Sequence, residues 1–364
     1  MRSVRIIIAG GGTGGHIFPA IAVANAIKQQ QPSAEILFVG AKGKMEMEKV
    51  PQAGYAIKGL DIAGFNRSHW WKNILLPFKL VKSFLQVRSI FSSFKPDAAF
   101  GVGGYSSYPV LKYAQVKKLP TFLHESNAFA GKANMMLGKK ASSVFVATEG
   151  MEKFFPADKL IVSGNPVRKQ IAENKHNAWE AKQAFGLDNT KPALLVIGGS
   201  LGARTINEAV CAGLEKIVNS GWHLIWQTGK PFAETAQQAV ANKTGIWQND
   251  FITAMDQAYA AADMIISRSG AMSVAEICMA AKPVVFVPFP FAAEDHQTAN
   301  AMALVQHDAA LLVKDAAAAK DLVDTVVELG KNTSLQQTMK EKLAALAKYD
   351  ADAVIAKKIL ETIN

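Results

Sequence analysis

The sequence predicts an α/β protein of two domains, each built on a doubly wound parallel sheet. The chain has 364 residues, which is enough for two domains with separate cores. Short apolar runs alternate with helical patterns throughout, as in strand–helix–strand units. A glycine-rich turn also follows a strand-like run once in each half, at 10–15 after 4–9 and at 198–203 after 193–197.

The strand-like runs are short, apolar and rich in β-branched residues. They lie at 4–9, 35–39, 98–102, 120–124, 143–146, 193–197, 224–226, 264–266 and 284–287. Turn residues follow a strand at 164–168, so we expect one domain at 1–163 and a second at 164–344. The end of the chain has a helical pattern, and we expect a helix at about 345–364 to pack back on the first domain.

The composition indicates a globular protein, with 49% hydrophobic and 19% charged residues. Cys211 and Cys278 lie in apolar helix-like runs, so we expect core cysteines rather than a disulfide framework or a metal site. No apolar stretch approaches the roughly 18 residues of a membrane span, and the first strand leaves no room for a signal peptide. The sequence therefore predicts a cytoplasmic protein, either soluble or peripheral to a membrane.

The positive charge lies in the first half of the chain. The net charge is +10, but residues 1–163 hold 21 lysines and arginines against 9 acidic residues, whereas residues 164–364 hold 19 against 21. This asymmetry predicts that the first half meets an anionic partner, either nucleic acid or an acidic membrane surface.

Residues 62–96 favour the membrane over nucleic acid. They contain no acidic residue, and basic side chains alternate with apolar ones after a tryptophan pair. Such a segment suits an anionic membrane interface, and Pro77 fits the first turn of its helix. The alternative is a core-facing helix with a solvated basic face. The residues predicted to contact the membrane are Trp70, Trp71, Ile74, Leu75, Phe78, Lys79 and Lys82.

Glycine-rich turns between a strand and a helix predict phosphate sites, because free backbone N–H groups and the positive end of the helix dipole converge there. A second cluster in the first half, at 101–107, also follows a strand. Two such turns at one sheet edge would hold a diphosphate. The first turn does not match the dinucleotide fingerprint, which argues against NAD. The alternative for each turn is a tight structural connection.

His16 and Glu125 are the candidates for a general base. His16 lies where the first turn enters its helix, and Glu125 ends another strand at the same edge, with Asn127 beside it as a hydroxyl or amide reader. The alternative is a structural role for His16 and a loop-bracing role for Glu125. The residues alone leave the choice of base open.

The second half offers a further helix N-terminus at 271–276, after a strand. This terminus can face a pyrophosphate, and Glu276 can accept hydrogen bonds from both ribose hydroxyls. The alternative for Glu276 is a first-turn acid that compensates the helix dipole. Gln297 and Asn300, one turn apart, are candidates for reading sugar hydroxyls.

Seven motifs, in order along nearly the whole chain, resemble those of the MurG family in glycosyltransferase family 28. They are GGGTGGHIFP at 10–19, GVGGY at 101–105, HESN at 124–127, GNPVR at 164–168, GGSLGA at 198–203, RSGA at 268–271 and DHQ at 295–297. The resemblance implies a GT-B fold, with two Rossmann-like domains facing a cleft. It also implies an inverting transfer of N-acetylglucosamine from UDP-N-acetylglucosamine to lipid I, giving lipid II for peptidoglycan synthesis, without a bound metal or cofactor.

The resemblance also implies roles for individual residues. The donor would contact Thr13, Gly14, Gly15, Asn127, Arg168, Ser200, Ile252, Ala271, Met272, Ser273, Val274, Ala275, Glu276, Gln297 and Asn300. The acceptor diphosphate would contact Gly12, Gly103, Gly104 and Tyr105. Glu294 and the bulky pair Pro290 and Phe291 depart from the family pattern, which affects only the fine geometry of the donor loop.

The resemblance places the protein on the cytoplasmic face of the bacterial inner membrane, with wall-synthesis and division proteins as partners and no nucleic acid. Four alternatives are another GT-B transferase, a UDP-sugar 2-epimerase, a non-catalytic scaffold at the membrane, and an RNA-binding protein. The membrane-like segment and the second phosphate turn argue against the epimerase. The intact candidate site argues against the scaffold.

Overall fold

The computed structural model describes residues 3–64, 76–173 and 175–363. Two parallel sheets form two compact units, which confirms the predicted fold class. Unit 1 comprises Met1–Arg168 with Lys348–Asn364, and unit 2 comprises Lys169–Ala347.

Unit 1 is built on a sheet of seven parallel strands. The strands are β1 Arg5–Ala9, β2 Glu35–Ala41, β3 Ala56–Leu60, β4 Ala98–Gly101, β5 Thr121–Glu125, β6 Ser143–Val146 and β7 Leu160–Val162, in the order β3-β2-β1-β4-β5-β6-β7. Its helices are α1 Gly14–Gln30, α2 Glu46–Gln52, α3 Leu76–Phe94, α4 Ser107–Val116, α5 Lys132–Gly138 and, at the end of the chain, α16 Ala351–Ile363.

Unit 2 repeats the plan with six parallel strands. They are β8 Ala193–Ile197, β9 His223–Gln227, β10 Ile246–Asn249, β11 Met264–Ser267, β12 Val284–Phe286 and β13 Leu311–Leu312, in the order β10-β9-β8-β11-β12-β13. The helices are α6 Lys169–Ala172, α7 Ala178–Ala184, α8 Arg204–Ala212, α9 Leu214–Asn219, α10 Ala233–Val240, α11 Met255–Ala261, α12 Ala271–Ala280, α13 His296–Val305, α14 Ala318–Lys331 and α15 Thr333–Leu346.

The central strand of unit 1 is buried on both faces. Ile6 and Ile8 pack in a core formed with α1 and α16, whereas Ile7 packs in a second core formed with α3, α4 and α5. A strand covered on both faces reads as a continuous apolar run, which is the reason that β1 was predictable. The side chains that leave the carboxyl ends of such strands are thereby held on a rigid base.

The sequence analysis predicted a boundary after residue 163. In the structure, the boundary between the units falls after Arg168. Residues 164–168 remain with unit 1 because the buried Nε2 of His124 donates to the Gly164 carbonyl at 3.1 Å. The amide of Asn165 also donates to the Ser126 carbonyl at 3.0 Å. The last helix begins at Ala351, later than predicted, and packs against α1.

Both cysteines are free, in agreement with the sequence prediction. Burial raises the pKa of the Cys278 thiol to about 12, so this side chain is a core thiol rather than a reactive one. Within the described ranges, no helix is long and apolar enough to cross a membrane. Over the same residues, no cluster of three or more histidine, cysteine or acidic side chains could hold a metal ion. The expectation that the reaction proceeds without a bound metal stays a prediction.

Candidate functional site

Three loops of unit 1 meet at the carboxyl ends of β1, β4 and β5, where ligands bind in doubly wound sheets. The N–H of Val102 donates to the Ala9 carbonyl at 3.0 Å and joins the ends of β1 and β4. Gly104 has a φ of +80°, and a Cβ there would lie 2.6 Å from the Gly11 carbonyl oxygen. The two glycine clusters predicted as neighbours are thus in contact, and a side chain at Gly104 would separate them.

His16 is the third residue of α1 and its ring turns back onto the glycine loop. Nδ1 lies 3.2 Å from the Gly11 carbonyl oxygen and 3.4 Å from the Thr13 hydroxyl. A carbonyl oxygen can only accept, so the hydrogen of the neutral ring is on Nδ1 and the lone pair is on Nε2. A Cβ on Gly103 would lie 2.9 Å from that Nε2. The basic nitrogen therefore faces the second glycine cluster.

Glu125, the other candidate base, is 4% exposed and surrounded by donors. Its Oε1 accepts from the backbone N–H of Asn127 at 3.1 Å and from the Asn127 amide at 3.2 Å. Its Oε2 accepts from Gly131 N–H at 3.0 Å and from the Asn134 amide at 2.8 Å. These four hydrogen bonds connect the end of β5 to the segment at 127–134. This geometry favours the loop-bracing role.

His124 is a buried neutral histidine beneath the site. Burial and, to a lesser degree, the nearby His16 lower its pKa to about 4, although the hydrogen bond to the Gly164 carbonyl acts in the opposite direction. A proton on His124 would thus be strongly disfavoured at neutral pH. Its ring holds the segment at 164–168 rather than offering a proton.

The sequence analysis missed Glu46, the first residue of α2. Its side chain is 1% exposed, and its carboxylate accepts from Gly12 N–H at 2.9 Å and from Ala41 N–H at 3.0 Å. The carboxylate therefore joins the loop after β1 to the end of β2. A lone acid at a helix start carries no distinctive sequence signal, because such acids commonly compensate a dipole.

The residues predicted for the acceptor diphosphate lie together at this edge, but not all of their donors point outward. The N–H of Gly12 is donated to Glu46, so it is not aimed at a phosphate. Burial, together with the Glu46 carboxylate, raises the pKa of Tyr105, which stays a neutral phenol. Three residues predicted to contact the donor lie beside them: Thr13 is the N-cap of α1, and Gly14 and Gly15 are the first two residues of that helix. The diphosphate roles of Gly12, Gly103, Gly104 and Tyr105 stay predictions.

Asn127 and Arg168, which are also predicted to contact the donor, belong to unit 1 like Thr13. Asn127 donates through its side chain to Glu125, as described above. The guanidinium of Arg168 lies over the Phe18 ring, 5.9 Å from its centroid, which is within the range of a cation–π contact. Their donor roles stay predictions.

In unit 2, the glycine loop after β8 is held by a neutral side chain, Gln227. Its Nε2 donates to the Gly199 carbonyl at 2.9 Å, and its Oε1 accepts from Ile252 N–H at 2.9 Å. Ser200 and Leu201 are exposed at the tip of the loop. The sequence analysis named Ser200 and Ile252 but missed the buried Gln227 that connects their loops.

The α12 helix of unit 2 begins without a capping side chain. Its N-cap is Gly270, and the positive end of the helix dipole lies at this terminus. Glu276 is the sixth helical residue and is 7% exposed, and the Tyr259 hydroxyl donates to its Oε2 at 3.1 Å. The first turn contains no acidic residue, so the alternative of a dipole-compensating Glu276 is wrong. The other residues of this segment that were predicted to contact the donor are Met272, Ser273, Val274 and Ala275.

Gln297 and Asn300 lie on α13, as the spacing predicted, but in different environments. Oε1 of Gln297 accepts from Phe289 N–H at 3.0 Å, which leaves its amide nitrogen as the donor toward a sugar. Asn300 is 4% exposed, and its amide donates to the Ser269 carbonyl at 3.1 Å. Asn300 therefore braces the loop before α12, and its reading of sugar hydroxyls stays a prediction.

The backbone just before α13 is strained. Glu294 and Asp295 both adopt left-handed conformations, with φ of +55° and +52°. Such conformations in consecutive non-glycine residues cost free energy and are found at binding sites. This is the segment in which Glu294 and Phe291 depart from the family pattern.

The predicted membrane segment is described only in part. Trp70, Trp71, Ile74 and Leu75 lie outside the described residues. On α3, the side chains of Ser83, Val87 and Phe91 are buried on one face. The opposite face exposes Phe78 by 73%, Val81 by 63% and Leu85 by 61%. These three residues, called here the α3 stripe, are flanked by the exposed Lys79 and Lys82.

Comparisons with known proteins agree with this architecture. The N-terminal domain of glycosyltransferase family 28 matches residues 6–146, and its C-terminal domain matches residues 193–355. A relative from Phocaeicola vulgatus is 52% identical over 99% of this chain and 96% of its own length. That relative is named UDP-N-acetylglucosamine–N-acetylmuramyl-(pentapeptide) pyrophosphoryl-undecaprenol N-acetylglucosamine transferase.

Solved structures give the same result for the fold. The crystal structure of MurG from Acinetobacter baumannii superposes with a TM-score of 0.81 at 28% identity, covering 98% of this chain and 99% of that one. UDP-GlcNAc 2-epimerase from Neisseria meningitidis has a TM-score of 0.69, covering 99% of this chain and 100% of that one, but is only 13% identical. The second likeness shows a shared fold alone.

Proposed function

The chain belongs to glycosyltransferase family 28, and from that premise we propose that it transfers N-acetylglucosamine from UDP-N-acetylglucosamine to the muramoyl sugar of lipid I, producing lipid II. The observation that carries this proposal is the 52% identity, over 99% of the chain, to a relative named for that transfer. The reaction would serve peptidoglycan synthesis, and hence cell-wall growth, shape and division.

The donor belongs to unit 2 in this proposal. The N-terminus of α12 and the loop carrying Ser200 supply backbone donors and a positive dipole for the pyrophosphate. Glu276 would accept from the ribose hydroxyls, and the amide nitrogen of Gln297 would donate to the sugar. Because Ile252 N–H is donated to Gln227, the Ile252 carbonyl is the better group for reading the uracil N–H.

His16 is the general base in this proposal. Its Nε2 would take the proton of the attacking muramoyl hydroxyl while the new bond forms at the anomeric carbon and the bond to UDP breaks on the opposite face. The configuration changes from α to β, and the electron pair of the broken bond leaves with UDP. The helix dipole and backbone N–H groups of unit 2 would stabilise that charge. Glu125 holds the loop that ends at Gly131.

The α3 stripe supports a peripheral location on an anionic membrane, where the lipid-linked acceptor resides. Three exposed apolar side chains on one helix face, flanked by lysines, suit the boundary between headgroups and acyl chains. The cytoplasmic face of the inner membrane and partners among wall-synthesis and division proteins belong to this proposal as well.

The test is UDP release from UDP-N-acetylglucosamine by the purified protein, with and without a short-chain lipid I analogue, followed by mass analysis. The proposal predicts release that depends on the acceptor and a product heavier by one N-acetylhexosamine. Conversion of the donor to its 2-epimer without any acceptor would instead support the epimerase alternative. UDP binding without either reaction would support the scaffold.

A further inference from the structure

One peptide group in the glycine loop of unit 1 has a hydrogen bond at each end. Its N–H, from Gly12, donates to Oε2 of Glu46 at 2.9 Å. Its carbonyl oxygen, from Gly11, accepts from Nδ1 of His16 at 3.2 Å. The buried carboxylate of Glu46 and the imidazole of His16 are therefore connected through a single planar peptide bond. This arrangement of Glu46, the Gly11–Gly12 peptide and His16 is called here the relay.

The surroundings of Glu46 are shaped for this carboxylate. A Cβ on Gly11 would lie 2.3 Å from the carboxyl group, and a Cβ on Gly40 would lie 2.5 Å from Cγ of Glu46. The second oxygen, Oε1, accepts from Ala41 N–H at 3.0 Å. A buried carboxylate requires such partners, because an unpaired one would carry a large desolvation penalty. Two glycines thus make room for a charge directly beneath the peptide that contacts His16.

Hydrogen bonds in a chain polarise one another, and a bond to an ionised group is the strongest kind. Donation by Gly12 N–H to a carboxylate makes the Gly11 carbonyl a better acceptor. The bond from Nδ1 of His16 is strengthened in turn, which fixes the tautomer with its lone pair on Nε2 and stabilises the imidazolium after proton uptake. A carboxylate in direct contact with histidine has these effects in the Ser-His-Asp triad.

We propose that Glu46 is a positioning residue for the transfer reaction, acting on His16 through the Gly11–Gly12 peptide. The inference rests on the proposed function, in which His16 is the general base. In this proposal its carboxylate orients the ring and raises the basicity of Nε2.

Two titratable groups near the relay have pKa values that are shifted away from the neutral range. His124 is the nearest histidine, and burial with the proximity of His16 lowers its pKa to about 4. Tyr105 faces Glu46, and its pKa is raised from the usual value by burial and by that carboxylate. The acid limb of the pH–rate profile above pH 5 should therefore report His16.

The first test compares Glu46→Gln with Glu48→Gln, a matched variant on the same helix whose side chain is 66% exposed. In Glu46→Gln the amide oxygen of the introduced side chain can still accept from Gly12 N–H, but the charge is lost. We expect the acid limb of kcat/KM to move down by about one pH unit and kcat to fall about tenfold. KM for UDP-N-acetylglucosamine should stay unchanged, and Glu48→Gln should match the wild type.

The inference is overturned if Glu46→Gln lowers kcat while the acid limb stays in place, because that is the behaviour of a purely structural brace. It is equally overturned if Glu46→Gln behaves like the wild type. Thermal unfolding and UDP binding of both variants identify a misfolded protein.

A second measurement uses the wild-type chain and does not depend on how the variant folds. Nitrogen NMR of protein labelled at histidine, assigned by comparison with His16→Gln, reports which ring nitrogen carries the hydrogen. The relay predicts hydrogen on Nδ1, and hydrogen on Nε2 would overturn it. If His16→Gln retains full activity, the proposed base is wrong. If it is inactive while the Glu46→Gln acid limb is unshifted, the relay alone fails.

Discussion

The glycine loops of the two units share a strand–loop–helix plan but differ in the group that holds them from below. In unit 1 the loop after β1 rests on the buried carboxylate of Glu46. In unit 2 the loop after β8 rests on the neutral amide of Gln227. A carboxylate beneath a loop lowers the affinity of the loop for a phosphate, whereas an amide leaves the positive field of the loop intact.

In the proposed function, this difference accompanies separate tasks for two loops that look alike in sequence. The loop of unit 1 is suited to accepting a proton through His16. The loop of unit 2 is suited to binding the diphosphate of the donor. Equal glycine content therefore does not imply equal chemistry, because the side chain beneath the loop decides it.

The largest effect is expected from removing His16, the proposed general base. His16→Ala should lower kcat about a thousandfold, within the range of general-base catalysis, and leave UDP binding unchanged. His307→Ala, an exposed histidine of unit 2, is the control. Acceptor-dependent UDP release measures the effect, and a loss of less than about fivefold would assign the base elsewhere.

Acid should weaken unit 1 through His124. Its pKa is about 4 in the folded protein against 6.5 for an unperturbed histidine. Its neutral form therefore stabilises the fold above pH 6.5, and this contribution is lost as the pH falls from 6.5 to 4. Over this pH range, the free energy of unfolding should decrease by about 3 kcal/mol because of His124.

Urea unfolding of the wild type and His124→Gln at pH 7 and pH 4.5 checks this expectation. The variant should show a smaller loss on acidification. Equal losses in both proteins would mean that His124 does not titrate as described. Hydrogen exchange resolved by segment should place the wild-type loss in unit 1.

The loop of unit 2 offers a matched pair of glycines. A Cβ on Gly202 would lie 2.0 Å from the Thr228 carbonyl oxygen, whereas a Cβ on Gly199 meets nothing within 4 Å, and both residues have positive φ. Both alanine variants carry the left-handed strain of about 1 kcal/mol, but Gly202→Ala should cost at least about 2 kcal/mol more. Thermal unfolding measures this difference, and equal stabilities would contradict the close packing of the loop.

The smallest effect is expected at the α3 stripe, which has no described counterpart in unit 2. Phe78→Ser should reduce binding to anionic vesicles about tenfold, since burying a phenylalanine contributes about 2 kcal/mol. Val116→Ser, at a 68% exposed position on α4, is the control. Unchanged vesicle binding by Phe78→Ser would remove the stripe from the membrane contact.

The central strands were predictable from sequence and the edge strands mostly were not. β1, β6 and β8 are continuous apolar runs, because both faces are covered. The edge strands β3, β10 and β13 were not predicted, and β7 was recognised only as a strand preceding residue 164. β3, for example, contains Lys58 and Gly59, and only its last residue is buried, so it lacks the apolar run that marks a covered strand.

The candidate site was predictable where its residues lie within a motif. His16, Glu125 and Glu276 lie within motifs, so the sequence analysis named them, and their roles stay predictions. Glu46 and Gln227 were missed because each connects two loops that are distant in sequence, and their role is visible only when those loops meet. Similarly, the proposal that His16 rather than Glu125 is the base rests on the four hydrogen-bond donors around Glu125. No rule of sequence spacing reveals those donors.

The division of tasks between the two units is tested most directly by titrating UDP into His16→Ala and Glu276→Gln by calorimetry. The account predicts that His16→Ala binds UDP like the wild type. Glu276→Gln should bind it at least about tenfold more weakly, as expected for losing hydrogen bonds to a charged group. Equal weakening in both variants, or wild-type affinity in Glu276→Gln, would contradict the assignment of donor binding to unit 2.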